Sequence, residues 1–532
     1  MKALLVHPDR DLELRDELTP HEQALVQDLQ VDTLLQAMAG DDKLVLRVAR
    51  NVLLSSTRGD VETIRYRQEI LKDCLEHPGV VKAIYDLAAE AIDVKRKLWH
   101  YGIMSRYADT ILHGSIDVLE ALSGMLRTLH NIAEENAARF HSRGFATLFA
   151  TLGAELGEDY LAEVHAHLHR LRFRRGVPVS ASLGESNEGK DFVLHLRKER
   201  RWEWLERLLG KGPPGLVVRI PDRDDAGARA YADLRERGLD LVANAISQSA
   251  DHVVSFFEML RTELAFYMGC LSLHARLAEL GMAVAFPEPA AAGERRFRAS
   301  GLRDLSLALL MGTRLVPNDL AADGKGICII TGANQGGKTA FLRGVGLAQL
   351  MMQAGMFVAA DSCSAEVCNG LFTHFRREED ASMKSGKLDE ELRRMSLIVD
   401  SLSRDAMVLF NESFAATNER EGSEIAREVV TALLEKRVKV VFVTHLYDFP
   451  HRLALERAEE ALFLRAERRE DGARTFKLVE GEPLETNFGQ DVYQEVFEHG
   501  DASAEGVNKK AALASGEGLG PASSGQAAPP VS

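Results

Sequence analysis

The nonapeptide Thr331-Gly332-Ala333-Asn334-Gln335-Gly336-Gly337-Lys338-Thr339 constrains this chain more than any other stretch. It satisfies the spacing G-x-x-x-x-G-K-[ST]. Ahead of it, Ile327-Cys328-Ile329-Ile330 reads as a buried strand. Behind it, Ala340 to Gln353 reads as a helix, closed by Gly355. Strand, glycine loop and helix in that order make an anion cradle. Glycines let backbone N–H groups face one point, and the helix N-terminus adds partial positive charge. On this reading Gly332, Ala333, Asn334, Gln335, Gly336 and Gly337 wrap a phosphate chain. Lys338 reaches the β- and γ-phosphates, and the Thr339 hydroxyl ligates Mg²⁺. A glycine-rich turn matched by chance would not need both flanking elements.

A chain of 532 residues is too long for one compact core, and about three or four domains are expected. No apolar run approaches the roughly 20 residues of a membrane span. Met1 to Asp9 holds too short an apolar run for a secretion signal. No membrane contact and a cytoplasmic location are expected. Cys363 and Cys368 lie close together, but no second pair completes a zinc pattern, so buried or free thiols in a reducing compartment are expected. The net charge of −15 argues against a generally DNA-adhesive surface and leaves room for a local basic one. Residues 170–211 carry eleven Arg and Lys against six Asp and Glu, with Trp202 and Trp204 interleaved. Arg174, Arg175, Lys198, Arg200 and Arg201 are the candidate nucleic-acid contacts there. A solvated helix face would have a similar composition.

Apolar periodicity divides the chain. Residues 1–30 read as a short polar lead-in. From 31 to about 140 the pattern is helical, including a long amphipathic helix from Ala83 to Tyr101. Val177–Leu183 and Asp191–Leu196 read as short strands around the polar turn 184–189. A second long helical stretch runs from Ala226 to Gly281. A small β-rich insertion between helical arms predicts a rod with something mounted on its tip; an ordinary helical domain with one hairpin is the alternative. From about 300, strands and helices alternate, as in a parallel α/β sheet. Residues 501–532, rich in Ala, Gly, Ser and Pro, read as a disordered tail.

Two further strands deliver polar groups to their C-terminal tips, where ligands of parallel sheets bind. Ala406–Phe410 ends in Asn411-Glu412, and Glu412 is placed to orient and polarise an attacking water. Val438–Val443 ends in Thr444-His445, and His445 is placed to hydrogen-bond a γ-phosphate or its water.

This ensemble resembles the MutS family of DNA mismatch-repair ATPases. Besides the phosphate loop with Asn334, the matching pieces are Val316-Pro317-Asn318-Asp319, Arg343, the strand Gly355–Ala360 of the "GxFVPA" type, Asn411–Thr417, Gly422 and Thr444-His445. The likeness is dense from 301 to 490 and weaker from 31 to 300. It implies a multidomain fold: a mainly helical core and lever over 31–300 with a β-containing clamp at about 144–225, then an α/β P-loop NTPase domain of ABC-type ATPase architecture over 301–500. It also implies ATP and Mg²⁺, duplex DNA, mismatched or branched, as partner, and a homodimer in which each subunit completes the other's site. Ser385, Gly386 and Lys387 stand where the family's "STF" approaches the partner's γ-phosphate, so that contact falls to Ser385, Lys387 or backbone N–H groups.

Several residues depart from the family pattern. Asn411 replaces the acidic residue that holds the Mg²⁺ shell, which lowers the expected metal affinity or turnover. Ala340 stands where a second hydroxyl is frequent. Leu315 stands where an aromatic stacks on adenine; it packs there without stacking. Too few residues precede the helical region for the mismatch-reading domain, and Phe256-Phe257-Glu258, though it has the letters of that domain's Phe-x-Glu wedge, reads as helix core. The reading is an ATP-dependent, MutS-like DNA-binding protein in which ATP binding and hydrolysis at composite dimer sites drive a clamp. A non-hydrolysing ATP-dependent scaffold or switch is the alternative. A transporter-type ATPase would need a Leu-Ser-Gly-Gly-Gln-like signature, which the chain lacks.

Overall fold

A computed structural model of the chain describes residues 1–98, 107–174, 176–185, 189–195, 219–221, 223–333, 335–377, 386–469 and 474–483. Asn334, Ser385, Arg175, Lys198, Arg200, Arg201, Trp202, Trp204 and the expected tail 501–532 lie outside the described residues.

The first half is helical. Helices α1 (Pro20–Asp28), α2 (Val31–Ala39), α3 (Lys43–Ser55), α4 (Val61–Glu76), α5 (Pro78–Leu98) and α6 (Ala108–Asn136) are followed by α7 (Arg143–Glu155) and α8 (Glu158–Leu171). Local chemistry sets several starts. Asp42 caps α3 by accepting from the Leu44 and Val45 amides, and Asp60 caps α4 through Thr63. Helix α5 starts earlier than the periodicity predicts because Pro78 is tolerated in a first turn.

Strands β1 (Val179–Leu183) and β2 (Gly189–Leu194) form an antiparallel hairpin. Helix α9 (Asp225–Glu279) then runs for 55 residues, about 80 Å at 1.5 Å per residue. Ala250, Val254, Phe257 and Leu264 lie on its buried stripe, at the three-and-four spacing of a packing seam. That stripe packs on α2, α3, α5 and α6. Phe256 and Phe257 are both buried, so the Phe-Phe-Glu triplet is core as expected.

The described part of the insertion expected at about 144–225 begins with two helices. Helices α7 and α8, which the sequence assigned to the insertion, pack on α6, and Phe145 and Phe149 close on Phe140. The lead-in is corrected. Leu5, Val6, Leu25 and Leu29 are buried in the main core. Leu5 and Val6 N–H groups donate to the Glu263 carboxylate of α9. Tyr267 Oη donates to the Leu5 carbonyl at 2.5 Å, and Arg67 Nε to that of Val6 at 2.8 Å. Polar letters around two apolar ones hid a segment held by long-range partners.

The second half contains two sheets. A four-stranded sheet is ordered β3-β7-β4-β5, from β3 (Glu288–Ala290), β4 (Phe297–Leu302), β5 (Asn318–Ala321) and β7 (Ser362–Glu366). Helix α10 (Leu305–Met311) lies between β4 and β5 in the chain. The other sheet has six strands, ordered β12-β11-β6-β10-β9-β8. These are β6 (Ile327–Thr331), β8 (Leu371–Phe375), β9 (Met407–Asn411), β10 (Lys439–Val443), β11 (Ala461–Arg468) and β12 (Arg474–Glu480). All neighbours are parallel except β11 and β12. Helices α11 (Lys338–Gln353), α12 (Lys387–Ser401), α13 (Glu419–Glu435) and α14 (Asp448–Glu456) connect them. The expected "GxFVPA" strand is not a ladder strand; Val358 makes only an isolated bridge to Ala285. A helical half joined to mixed sheets agrees with the multidomain fold read from the sequence. No helix among the described residues is long and apolar enough to cross a membrane.

Glu263 makes the junction sensitive to pH. Burial pushes its carboxyl up to about 7 against the pull of three N–H donors. The folded chain therefore holds a proton that the unfolded chain has released. This contribution is complete below about 4.5 and lost as pH rises through about 7, roughly 3 kcal/mol in all. Between about pH 5 and about pH 8 the melting midpoint of Glu263→Gln should gain on that of wild type. A difference independent of pH would contradict this.

Candidate functional site

The rim of the six-stranded sheet collects the polar groups. Strands β6, β10 and β9 are adjacent, with Val443 opposite both Ile330 and Asn411. The phosphate loop, Glu412 and Thr444-His445 therefore leave neighbouring strands at one level.

The loop itself needs its glycines. Gly332 and Gly337 have φ of 112° and 88°. A Cβ on Gly332 would lie 3.0 Å from the Ala466 nitrogen, and one on Gly336 2.7 Å from Ala466 Cβ. Strand β11 thus packs too closely for any side chain there. Gln335, also left-handed, accepts from Arg474 of β12. Gly337 is the N-cap of α11, and no side chain caps that helix. Lys338 is buried, its Nζ donating to the Gly332 and Ala333 carbonyls at 2.7 and 2.9 Å. Burial pushes its ammonium down to about 8, with the Glu412 charge opposing.

Thr339 Oγ1 donates to Asn411 Oδ1 at 3.1 Å. These two neutral oxygens, from α11 and β9, stand together where the phosphate loop ends. Among the described residues no group of three His, Cys, Asp or Glu could hold a metal ion. The donor set fits a hard divalent cation held mostly by phosphate oxygens and water, with Thr339 as ligand and Asn411 accepting from its shell. It does not fit a cage made by protein alone.

Glu412 follows Asn411 with φ of 55°, its N–H donating to the Val443 carbonyl. Its Oε1 accepts from His445 Nε2 at 2.9 Å. That hydrogen bond holds the carboxyl below its ordinary range despite burial, helped by the charges of His445, Lys338 and Arg376. An ionised carboxylate next to a buried cation can take a proton from water. Thr444 points inward and accepts from the Leu446 amide, fixing the turn that presents His445.

Leu315 is partly buried against the main core. The segment after it is tied to β12: Lys477 donates to the Pro317 carbonyl, and Asn318 bridges the Phe476 carbonyl and the Leu478 amide. Phe476 itself was not read from the sequence. It is 48% exposed, has φ of 57°, and its Cβ would lie 3.7 Å from a Cβ on Gly337. Its only sequence signal is an aromatic residue in a short alternating strand. Arg343 pairs with Asp304 at 2.7 Å, fastening α11 to α10. Gly422 admits the Phe414 carbonyl, which a Cβ at that position would overlap.

The remaining expected sites are more scattered. Gly386 is the exposed N-cap of α12 and Lys387 its first residue, both away from their own chain's phosphate loop in sequence and joined to β8 by residues outside those described. Arg174 is exposed, whereas Arg172 of the same basic segment is neutralised by Asp117 and Glu120 at 2.6 and 2.7 Å.

Comparison with known proteins finds matches in both halves of the chain. A family model of the MutS2 N-terminal domain matches residues 59–280, and one of MutS domain V matches residues 328–499. DNA mismatch repair protein MutS of Thermus thermophilus is 28% identical over 235 residues, 44% of this chain and 28% of that protein. MutS protein homolog 4 of Mus musculus is 27% identical over 179 residues, 32% of this chain and 19% of that protein. DNA mismatch repair protein MSH3 of Arabidopsis thaliana is 36% identical over 142 residues, 26% of this chain and 13% of that protein. Each match therefore spans less than a third of the relative's length. With both halves matched by such models and the strand-tip motifs brought to one rim, the chain belongs to the MutS family.

Proposed function

We propose that this protein is an ATPase of the P-loop, ABC-type class that couples nucleotide binding to its grip on DNA, working as a homodimer with composite sites. The observation that carries the reading is the convergence of Lys338, the Thr339–Asn411 contact and the Glu412–His445 pair on three adjacent strand ends. In this reading the loop amides and Lys338 hold the triphosphate. Thr339 and, through a water, Asn411 would hold Mg²⁺, which when bound would neutralise charge on the transferring phosphoryl group. Glu412 takes the proton of the attacking water, and His445 keeps its carboxylate ionised and aimed. Gly386 and Lys387 of one protomer, with Ser385, face the phosphates of the other. The clamp around β1 and β2, with Arg174 and the neighbouring basic residues, holds duplex, mismatched or branched DNA.

Asn411 supports a second reading. An amide adds no negative charge to the metal shell, so the protein acts as a non-hydrolysing switch or scaffold that ATP assembles. Phosphate release separates the two. For the ATPase, Glu412→Gln should lower kcat by about a hundredfold or more while leaving nucleotide affinity within about twofold. Equal, negligible rates in wild type and variant would favour the switch.

Lys338 adds a pH dependence. Its ammonium is already weakened to about 8, so above that pH phosphate binding must take up a proton. The dissociation constant of a fluorescent ATP analogue should rise by up to about tenfold per pH unit above about pH 8 and stay flat below it. A flat profile up to about pH 9.5 would contradict the placement of Lys338 on the phosphates.

A further inference from the structure

The turn that carries Glu412 is held from outside its own strand. Glu412 and Phe414 both have left-handed backbones, φ of 55° and 63°. Neither is glycine, so neighbouring groups must enforce the conformation. Three of them converge on residues 413 and 414. The Glu391 carboxylate of α12 accepts from the Phe414 amide at 2.9 Å. The His374 ring of β8 lies 2.7 Å from Ser413 Oγ and stacks on Phe414, centroids 5.4 Å apart. Its other nitrogen, Nε2, lies 3.0 Å from the Glu391 carbonyl. Gly422 lets α13 close the opposite side against the Phe414 carbonyl.

The protons can be assigned. A carbonyl only accepts, so His374 Nε2 carries the hydrogen. Burial pushes His374 down to about 4, so Nδ1 is bare and accepts. The single Ser413 hydroxyl proton is then shared between Nδ1 and the His374 carbonyl, 2.6 Å away. His374, Ser413 and Phe414 are fully buried and Glu391 nearly so. Helix α12 holds this turn through both the side chain and the main chain of one residue, and the same helix opens with Gly386-Lys387.

We propose that Glu391 and His374 are positioning residues for Glu412, locking its left-handed turn and tying it to α12, so that a shift of the α12 first turn is felt at Glu412. The proposal rests on the reading of Glu412 as the base. It makes α12 the element through which an approaching partner protomer switches hydrolysis, without touching the water itself.

The test uses the full chain and three variants: Glu391→Ala, Glu391→Gln and His374→Phe. Glutamine keeps an oxygen acceptor for the Phe414 amide; alanine does not. Glu391→Ala and His374→Phe should lower kcat by about tenfold or more with KM and fluorescent-nucleotide affinity close to wild type, while the melting midpoint falls only by what one unpaired buried group costs. Glu391→Gln should recover kcat to within about threefold. Hydrogen exchange of the segment 411–417 should quicken in Glu391→Ala and not in Glu391→Gln. Loss of nucleotide binding in parallel with kcat in Glu391→Ala, or a failure of glutamine to restore kcat, would reduce the clamp to general packing and overturn the proposal. Unchanged kcat with unchanged exchange would overturn it as well. If wild type releases no more phosphate than Glu412→Gln, the hydrolytic reading has failed. The exchange arm then decides alone: faster exchange in Glu391→Ala supports the clamp, and unchanged exchange overturns it.

Discussion

A buried run of hydrogen bonds joins the helix that begins at Lys338 to the long helix that reaches the hairpin. Gln353, at the end of α11, donates to the Ser56 carbonyl at 2.7 Å. Ser56 Oγ accepts from Arg67 Nη1 at 2.7 Å, Arg67 Nε donates to Val6, and Val6 donates to Glu263 of α9 at 3.2 Å. Every member is nearly or fully buried. Such a network in low dielectric resists partial rearrangement, because each unpaired buried group costs about 1–3 kcal/mol. The backbone fits around it: a Cβ on Gly355 would overlap Arg67 Cβ. Movement of α11 therefore has a stiff route to α9, and the N-terminal residues are its middle link.

At the other end of α11 the chemistry is a balance of charges. Lys338 is weakened by burial, and Glu412 is strengthened as an anion by His445 and by Lys338 itself. An acidic residue at 411 would add a second negative charge beside Thr339. Asparagine keeps the hydrogen bond and omits the charge, which tilts the site toward binding phosphate and away from gripping the metal. In the proposed cycle this favours nucleotide binding over turnover, and the proposed clamp on the Glu412 turn would set how well that carboxylate is aimed.

The parts legible in the sequence are those whose signal is local. The strands at 327–331, 407–411 and 439–443, the helix after Lys338 and the polar residues at the strand tips follow from short apolar runs broken by glycine or polar residues. Cores of long helices were equally readable, as Phe256 and Phe257 show. What stayed hidden depends on partners far along the chain. Leu5 and Val6 looked like part of a polar lead-in because their partner Glu263 is more than 250 residues away. Glu391 is one of three consecutive acids in Asp389-Glu390-Glu391, and its partner, the Phe414 amide, lies 23 residues further along the chain. Phe476 carries only the weak signal of an aromatic in a short strand, and its place beside Gly337 arises when β12 folds back on β11.

On the proposed function, phosphates at Lys338 change the grip of the distant hairpin end on DNA. The most direct measurement is the affinity for heteroduplex, branched and plain duplex DNA, with and without Mg-ATP, for wild type and Lys338→Met. A nucleotide-dependent change of about fivefold or more is expected for at least one DNA in wild type, in the range of ordinary allosteric coupling, and none in Lys338→Met. Identical affinities with and without nucleotide on all three DNAs, in a protein shown to bind ATP, would contradict it.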